Sequence, residues 1–230
     1  MAVIEHLFDS PSELDQALAT RVGNVLRDAV AVRGQASLAV SGGRTPLGFF
    51  KALSQAALPW SQITITLVDE RWVGADHSDS NAKLVQDNLL QHAASVARFI
   101  PMKNAEPSPE AGLSALTQAY AAAPFPFDAI ILGMGDDGHT ASLFPDADEL
   151  AHGLSSQALL CTVNPKHAPH PRMSLTAHSI SQARHLFLHI SGAKKREVFD
   201  QAQQAGPIEA LPIRFAIQQN KVPLHVYWTA

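Results

Sequence analysis

The sequence predicts an α/β protein built on a mostly parallel sheet. Two observations carry that reading. Short β-rich runs alternate with longer segments of helical period, and a polar or glycine-rich turn follows four of the short runs directly. Val3–Phe8 reads as the first strand. Ser12–Val32 follows, with Leu14, Leu18, Val22, Val25, Leu26 and Ala29 at spacings of three and four that form one apolar helical stripe. Strand-like runs come next at Ala36–Val40 and Ile63–Val68, separated by a helical segment at Pro46–Ala57. Helical period returns at Asn81–His92 and Pro109–Ala122 before a strand at Phe127–Leu132. Further strands are expected at Leu159–Val163, Met173–Leu175, His185–Ile190 and Leu224–Trp228, with helices at Lys194–Ala205 and around Ile213–Gln219. The joints at Pro107-Ser108-Pro109, Pro124–Pro126 and Pro165–Pro171 are loop punctuation, too short for domain linkers. One domain over residues 1–230 is therefore expected, without internal repeats or low-complexity segments.

Composition bounds the function. Apolar residues make up 46% of the chain, and the formal net charge of −4 offers no basic surface for nucleic acid. No apolar run approaches the ~20 residues of a membrane span, and Glu5, His6 and Asp9 are foreign to a secretory signal, so a cytoplasmic protein is expected. The single cysteine, Cys161, lies in the apolar run Leu159–Val163 and reads as a buried structural thiol.

Four strand exits carry unusual chemistry. They are Ser41-Gly42-Gly43-Arg44-Thr45-Pro46, Asp69-Glu70-Arg71, the Gly133–His139 turn, and Ser191-Gly192-Ala193-Lys194-Lys195-Arg196. In open α/β sheets ligands bind beyond the carboxyl ends of the strands, so four such exits on one edge point to one site. Ser41 to Pro46 reads as an anion cradle. Thr45 is placed as N-cap and Pro46 as the first helical residue, with glycine N–H groups and the helix dipole facing a phosphate. Arg44, Arg71 and Lys195 supply cations for a phosphomonoester. The string is not a Walker loop, lacking the Gly-Lys-Ser/Thr ending. Gly133, Gly135 and Gly138 match the dinucleotide spacing. However, Asp136 and Asp137 would repel a pyrophosphate, and Pro145 interrupts the segment where a long helix would be needed. His139 instead brings an imidazole and a neighbouring carboxylate to a strand end, which is acid–base equipment.

Taken in order, SGGRTP, VDERWV with the downstream DHSDSN, GMGDDGHTASLFP, PHPRMSLT, SGAKKREVF and the ending LPIRFAIQQNKVPLHVYW resemble the 6-phosphogluconolactonase family, which shares a superfamily with the glucosamine-6-phosphate deaminases and isomerases. The resemblance implies a three-layer, modified Rossmann-like, doubly wound α/β fold and hydrolysis of 6-phosphogluconolactone to 6-phosphogluconate in the oxidative pentose phosphate route. Residue by residue, it implies that His139 is the catalytic histidine and Asp137 the carboxylate before it. It also implies that Arg71 and Arg172 bind substrate, that Lys195 is the family lysine, and that Ser41, Gly42, Gly43 and Thr45 form the phosphate-side loop. Arg44 stands where other members often carry serine.

The chemistry also follows from the residues. Opening a δ-lactone needs a base for water, a stabilised oxyanion and a proton for the ring oxygen; His139 can serve the first and third. Either Asp137 or Asp69 could orient the imidazole. Asn81 is placed to touch the sugar or to cap its helix, within a loop, Asp76–Asp79, that reads as solvated. Ser41 lacks the nucleophile elbow and is expected to bind rather than attack. His6, His92, His152, His178, His185, His189 and His225 scatter without ligand spacing and read as surface or satisfied positions. His167 and His170 lack a thiol or a nearby carboxylate in sequence, so no metal is expected, and no cofactor. Trp60, Trp72 and Trp228 read as packing residues, with Trp72 of interest beside Arg71. The expected partner is a small phosphosugar lactone, with neither nucleic acid nor membrane, and the expected state a monomer or weak homodimer. A deaminase would carry Phe-Asn-Glu-Pro after its Gly-His, where this chain has Ala141-Ser142-Leu143-Phe144-Pro145. A sugar-phosphate sensor would need a DNA-binding helix-turn-helix, for which the sequence has no basic helix.

Overall fold

In the computed structural model, which describes residues 3–230, strands and helices run in the order β1 (Val3–Phe8), α1 (Pro11–Arg33), β2 (Ala36–Val40), α2 (Leu47–Ser54), β3 (Ile63–Leu67), β4 (Asp69–Arg71), α3 (Asn81–Asn88), β5 (Arg98–Phe99), α4 (Pro109–Ala121), β6 (Ala129–Leu132), α5 (Leu150–Ser155), β7 (Leu160–Val163), β8 (Arg172–Leu175), α6 (Ala177–Ser181), β9 (Leu186–Ser191), α7 (Ala193–Gln203), α8 (Arg214–Gln218) and β10 (Leu224–Thr229). The apolar stripe of α1 is its buried face, from Leu14 to Ala29. Ser10 caps the helix by accepting from the Glu13 N–H at 3.3 Å, Pro11 sits in its first turn, and Gly34 ends it at φ 74°.

Seven strands form one sheet in the order β1-β10-β9-β6-β2-β3-β5, and every neighbouring pair is parallel. Strands β2, β3 and β6 are buried along their whole length, as parallel strands covered by helices on both faces must be. The chain lays β2, β3 and β5 toward one edge, then returns to add β6, β9 and β10 on the other side of β2. The order therefore reverses between β2 and β6, which is where a doubly wound sheet opens a crevice at its carboxyl edge. The four strands with unusual exits, β9, β6, β2 and β3, are adjacent.

The runs at Leu159–Val163 and Met173–Leu175 do not join this sheet. As β7 and β8 they pair antiparallel with each other, and β8 pairs antiparallel with β4, a strand formed by Asp69-Glu70-Arg71 itself. The β7–β8 connection is a proline-rich loop too short for a parallel crossover, which takes a dozen or more residues, so the pair can only run antiparallel. In this register Asp69 lies opposite Ser174, and Arg71 lies opposite Arg172. No helix of the described residues is long and apolar enough to cross a membrane.

Candidate active site

Two strand exits meet at the switch point. The Ser41 N–H donates to the Ile131 carbonyl (3.0 Å), and Ser41 Oγ accepts from the Gly133 N–H (3.1 Å), so the loops after β2 and β6 are tied together. Gly43 turns at φ 95°, a left-handed conformation that favours glycine. Gly42 has no room for a side chain, since a Cβ would lie 1.8 Å from Asn81 Oδ1. The helix opens one residue later than the sequence predicts. Pro46 occupies the cap position and no side chain caps α2, because a turn held by Leu47 N–H to the Arg44 carbonyl (3.4 Å) precedes it. Thr45 is thus not the N-cap. Thr45 and Arg44 are both exposed, and Arg44 does not line the pocket into which the neighbouring residues of this loop face.

The Gly133–His139 turn closes on itself through Gly135 N–H to the His139 carbonyl (2.8 Å) and Gly138 N–H to the Gly135 carbonyl (3.1 Å). Gly138 adopts φ 75°. Asp137 Oδ1 accepts from the His139 N–H (3.1 Å) and lies 2.6 Å from His139 Nδ1, leaving Nε2 as the ring nitrogen for a ligand. Burial works against the Asp137 charge, but the hydrogen bond and charge of His139 outweigh it and hold the carboxyl below its ordinary value. The imidazole also packs on Phe144 at 4.1 Å between ring centroids. Of the two carboxylates left open by the sequence, Asp137 holds the imidazole. Asp69 does not: its Oδ2 accepts from Ser142 Oγ (2.6 Å) and faces Arg172 Nη1 at 3.7 Å. Gly135 makes the His139–Asp137 pair possible, because a Cβ there would stand 2.1 Å from Nδ1 and 2.4 Å from Asp137 Oδ1.

Glu70, only 1% exposed, organises the third exit. Its carboxylate accepts from the N–H groups of Arg71 (2.7 Å), Asn81 (2.8 Å) and Ala82 (2.7 Å) and from Ser80 Oγ (3.2 Å), locking the start of α3 onto β4. Burial raises its pKa, and the backbone donors oppose the rise. Ser80, not Asn81, is the N-cap of α3. Asn81 is left to donate through Nδ2 to the Asp69 carbonyl (2.8 Å) beneath Gly42. The loop before α3 is more than solvated punctuation: the Asp79 carbonyl accepts from Arg71 Nη1 (2.6 Å), while the buried Nε of Arg71 has no partner among the described residues. Arg172 is braced by the Pro169 and His170 carbonyls. Burial lowers its pKa, with Asp69 opposing, which leaves it a cation at any working pH. Lys195 Nζ donates to the Met134 carbonyl (2.6 Å) and pairs with Asp136 at 2.8 Å.

These groups converge on one pocket of about 160 Å³. Its walls include Ser41, Gly42, Gly43, Thr45, Asp69, Arg71, Asn81, His139, Arg172 and Lys195; Asp137 stands behind His139. The sequence reading missed His189, a β9 residue 5% exposed in the pocket wall, whose buried Nδ1 has no partner among the described residues and whose Nε2 lies 3.6 Å from Asp15 Oδ1. Burial pushes its pKa down to about 4. It is not the satisfied histidine expected. A polar residue inside an otherwise apolar strand was the available signal. The roles of Ser142 and Glu70 were also missed: Ser142 acts on Asp69, 73 positions away, and Glu70 acts mainly on main-chain N–H groups, which no residue type advertises. His167 and His170 each have a carboxylate after all, Asp146 at 2.5 Å and Asp79 at 3.0 Å. Trp72 donates its indole N–H to the Glu106 carbonyl (3.0 Å) and packs against Gly112, away from the pocket. Cys161 is buried, with its thiol pushed up to about 12.

A family model described as glucosamine-6-phosphate isomerases/6-phosphogluconolactonase matches residues 9–228. The chain belongs to that family. It is 43% identical to a 6-phosphogluconolactonase of Rhizobium meliloti over 99% of both chains. It is 44% identical to one of Mesorhizobium japonicum, over 96% of this chain and 93% of the relative. A crystal structure of a 6-phosphogluconolactonase from Shewanella baltica superposes with a TM-score of 0.98 at 44% identity, covering 99% of this chain and 98% of that one. The modified Rossmann-like, doubly wound α/β fold is thus the family's.

Proposed function

We propose that the protein is a carboxylic ester hydrolase that opens 6-phospho-D-glucono-1,5-lactone to 6-phosphogluconate, in the cytoplasm and in the oxidative pentose phosphate pathway, acting as a monomer or weak homodimer. The observation that carries the reading is that His139, held from behind by Asp137 at 2.6 Å, lines the same pocket as the Ser41-Gly42-Gly43 turn, so a general base and an anion cradle face one cavity. Names shared by relatives above 40% identity support it.

In this mechanism Asp137 holds Nδ1–H of His139, and Nε2 takes a proton from water as the oxygen attacks the lactone carbonyl carbon. The tetrahedral oxyanion collapses with cleavage of the bond from that carbon to the ring oxygen. The proton on Nε2 passes to that oxygen, leaving the open acid. Such acid–base help contributes about 10²–10⁴-fold. The phosphate is held by the Ser41–Thr45 loop with Arg71, Arg172 and Lys195 as surrounding cations, all of which line the pocket. Oxyanion donors come from the glycine turn or an arginine, one donor typically being worth about 3–4 kcal/mol. Asp69 acts by positioning Ser142, Arg172 and Asn81, and its engagement with them argues against a role as base on a substrate carbon.

The test is proton release from freshly generated 6-phosphogluconolactone, run beside glucosamine 6-phosphate. Rapid lactone opening without ammonia release is expected; ammonia without lactone turnover would overturn the assignment. His139→Ala should lower turnover by about 10²-fold or more while phosphate binding is retained, and near-normal turnover would remove His139 from the mechanism.

A further inference from the structure

Outside the pocket lining, His77, Asp79 and His170 place two imidazoles and a carboxylate together, with one ligand atom from each lying within 4.8 Å of the others. They come from two loops joined only by the fold, residue 170 being 91 positions beyond Asp79. We infer that this cluster is a binding site for a late first-row divalent cation, zinc foremost.

Donor chemistry selects the ion. Two imidazoles and one carboxylate are ligands for zinc and its neighbours, whereas magnesium and calcium take oxygen sets. Spacing agrees. Zinc bonds of about 2.0–2.2 Å imply ligand–ligand edges of roughly 3.3–3.4 Å in a tetrahedron. His170 Nε2 lies 3.0 Å and His77 Nδ1 3.9 Å from the same oxygen, Asp79 Oδ2, so both edges to the carboxylate are within an ångström of that value, and the imidazole–imidazole edge, no longer than 4.8 Å, is closed by a swing of the His77 ring. His77 is the exposed member of the set, and its Nδ1, which now accepts the Asp79 N–H at 3.0 Å, would exchange that hydrogen bond for the ion.

The other two ligands are held ready. His170 stands between Pro169 and Pro171 at φ 70°, a left-handed backbone that the loop imposes on a non-glycine residue. Asp79 is fixed through its main-chain carbonyl by Arg71, which leaves Oδ2 to the imidazoles. An ion here would neutralise that carboxylate beside the segment presenting Arg71 to the pocket.

The test is calorimetric titration of the chelator-stripped, dialysed protein with zinc sulfate, paralleled by cobalt(II) absorption. One zinc ion per chain and visible cobalt bands of a low-symmetry site are expected. His77→Ala and His170→Asn, the latter chosen because asparagine tolerates φ above zero, should each weaken zinc by at least about 10-fold. The double variant should lose the cobalt bands while keeping its thermal midpoint. No saturable uptake, undiminished uptake in the double variant, or loss caused instead by His139→Ala or His167→Ala would overturn it. The readout is metal binding itself, so its failure leaves the lactonase reading intact, and failure of that reading leaves this one.

Discussion

Gly135→Ala breaks the His139–Asp137 pair without removing either partner. Gly135 does not adopt a positive φ, so alanine costs nothing in backbone conformation and the whole effect is overlap. The new methyl would stand 2.1 Å from His139 Nδ1, 2.3 Å from Cε1 and 2.4 Å from Asp137 Oδ1. Non-bonded heavy atoms settle near 3.5 Å or beyond, so the imidazole must retreat by more than about 1 Å. A misplacement of that size in a reacting group can cost about 10²-fold in rate, equivalent to roughly 2.7 kcal/mol of activation free energy. The three atoms nearest the methyl all belong to His139 and Asp137 and none to a proposed phosphate ligand, so KM should change little. Lactone-dependent proton release gives kcat and KM, and circular dichroism with a thermal melt confirms that the variant is folded. A folded Gly135→Ala enzyme with kcat within about threefold of the parent would refute the claim that the pair must be held in place.

Other expectations rest on the same contacts. Gly42→Ala drives a methyl to 1.8 Å from Asn81 Oδ1 and should evict Asn81 from the pocket wall; KM should rise more than kcat falls, and an unchanged KM refutes it. Arg172→Ala and Lys195→Ala should weaken substrate capture, seen as raised KM values; if neither moves KM, the cationic clamp is wrong. Asp15 and His189 make opposing pH contributions. Burial raises Asp15 to about 6 from 3.8, so its stability contribution is present at low pH and is lost as pH rises toward 6. Burial lowers His189 to about 4 from 6.5, so its contribution is lost as pH falls from 6.5 toward 4. The two slopes offset each other between pH 4 and 6. In Asp15→Asn the His189 slope is left unopposed, and the variant's unfolding free energy relative to the parent should climb by up to about 1.4 kcal/mol per pH unit across that window. Urea unfolding at several pH values measures this; a flat difference refutes it.

The alternation of strands and helices, the edge of the sheet that carries the chemistry, and most of the pocket's residue types are legible in the amino-acid order alone. Apolar periodicity and glycine turns are local signals, readable within a few residues. The exits at Ser41, Asp69, Gly133 and Ser191 could be grouped because parallel strands send their carboxyl ends to one side. Tertiary structure decided which groups touch. Asp137 rather than Asp69 holds His139, because antiparallel pairing with β8 draws Asp69 toward Ser142 and Arg172. The pairing of β4 with β8 in a second sheet and the burial of His189 against Asp15 rest on contacts between residues far apart in the chain. Such contacts are chosen by how the elements pack, and neither propensity nor spacing encodes them locally.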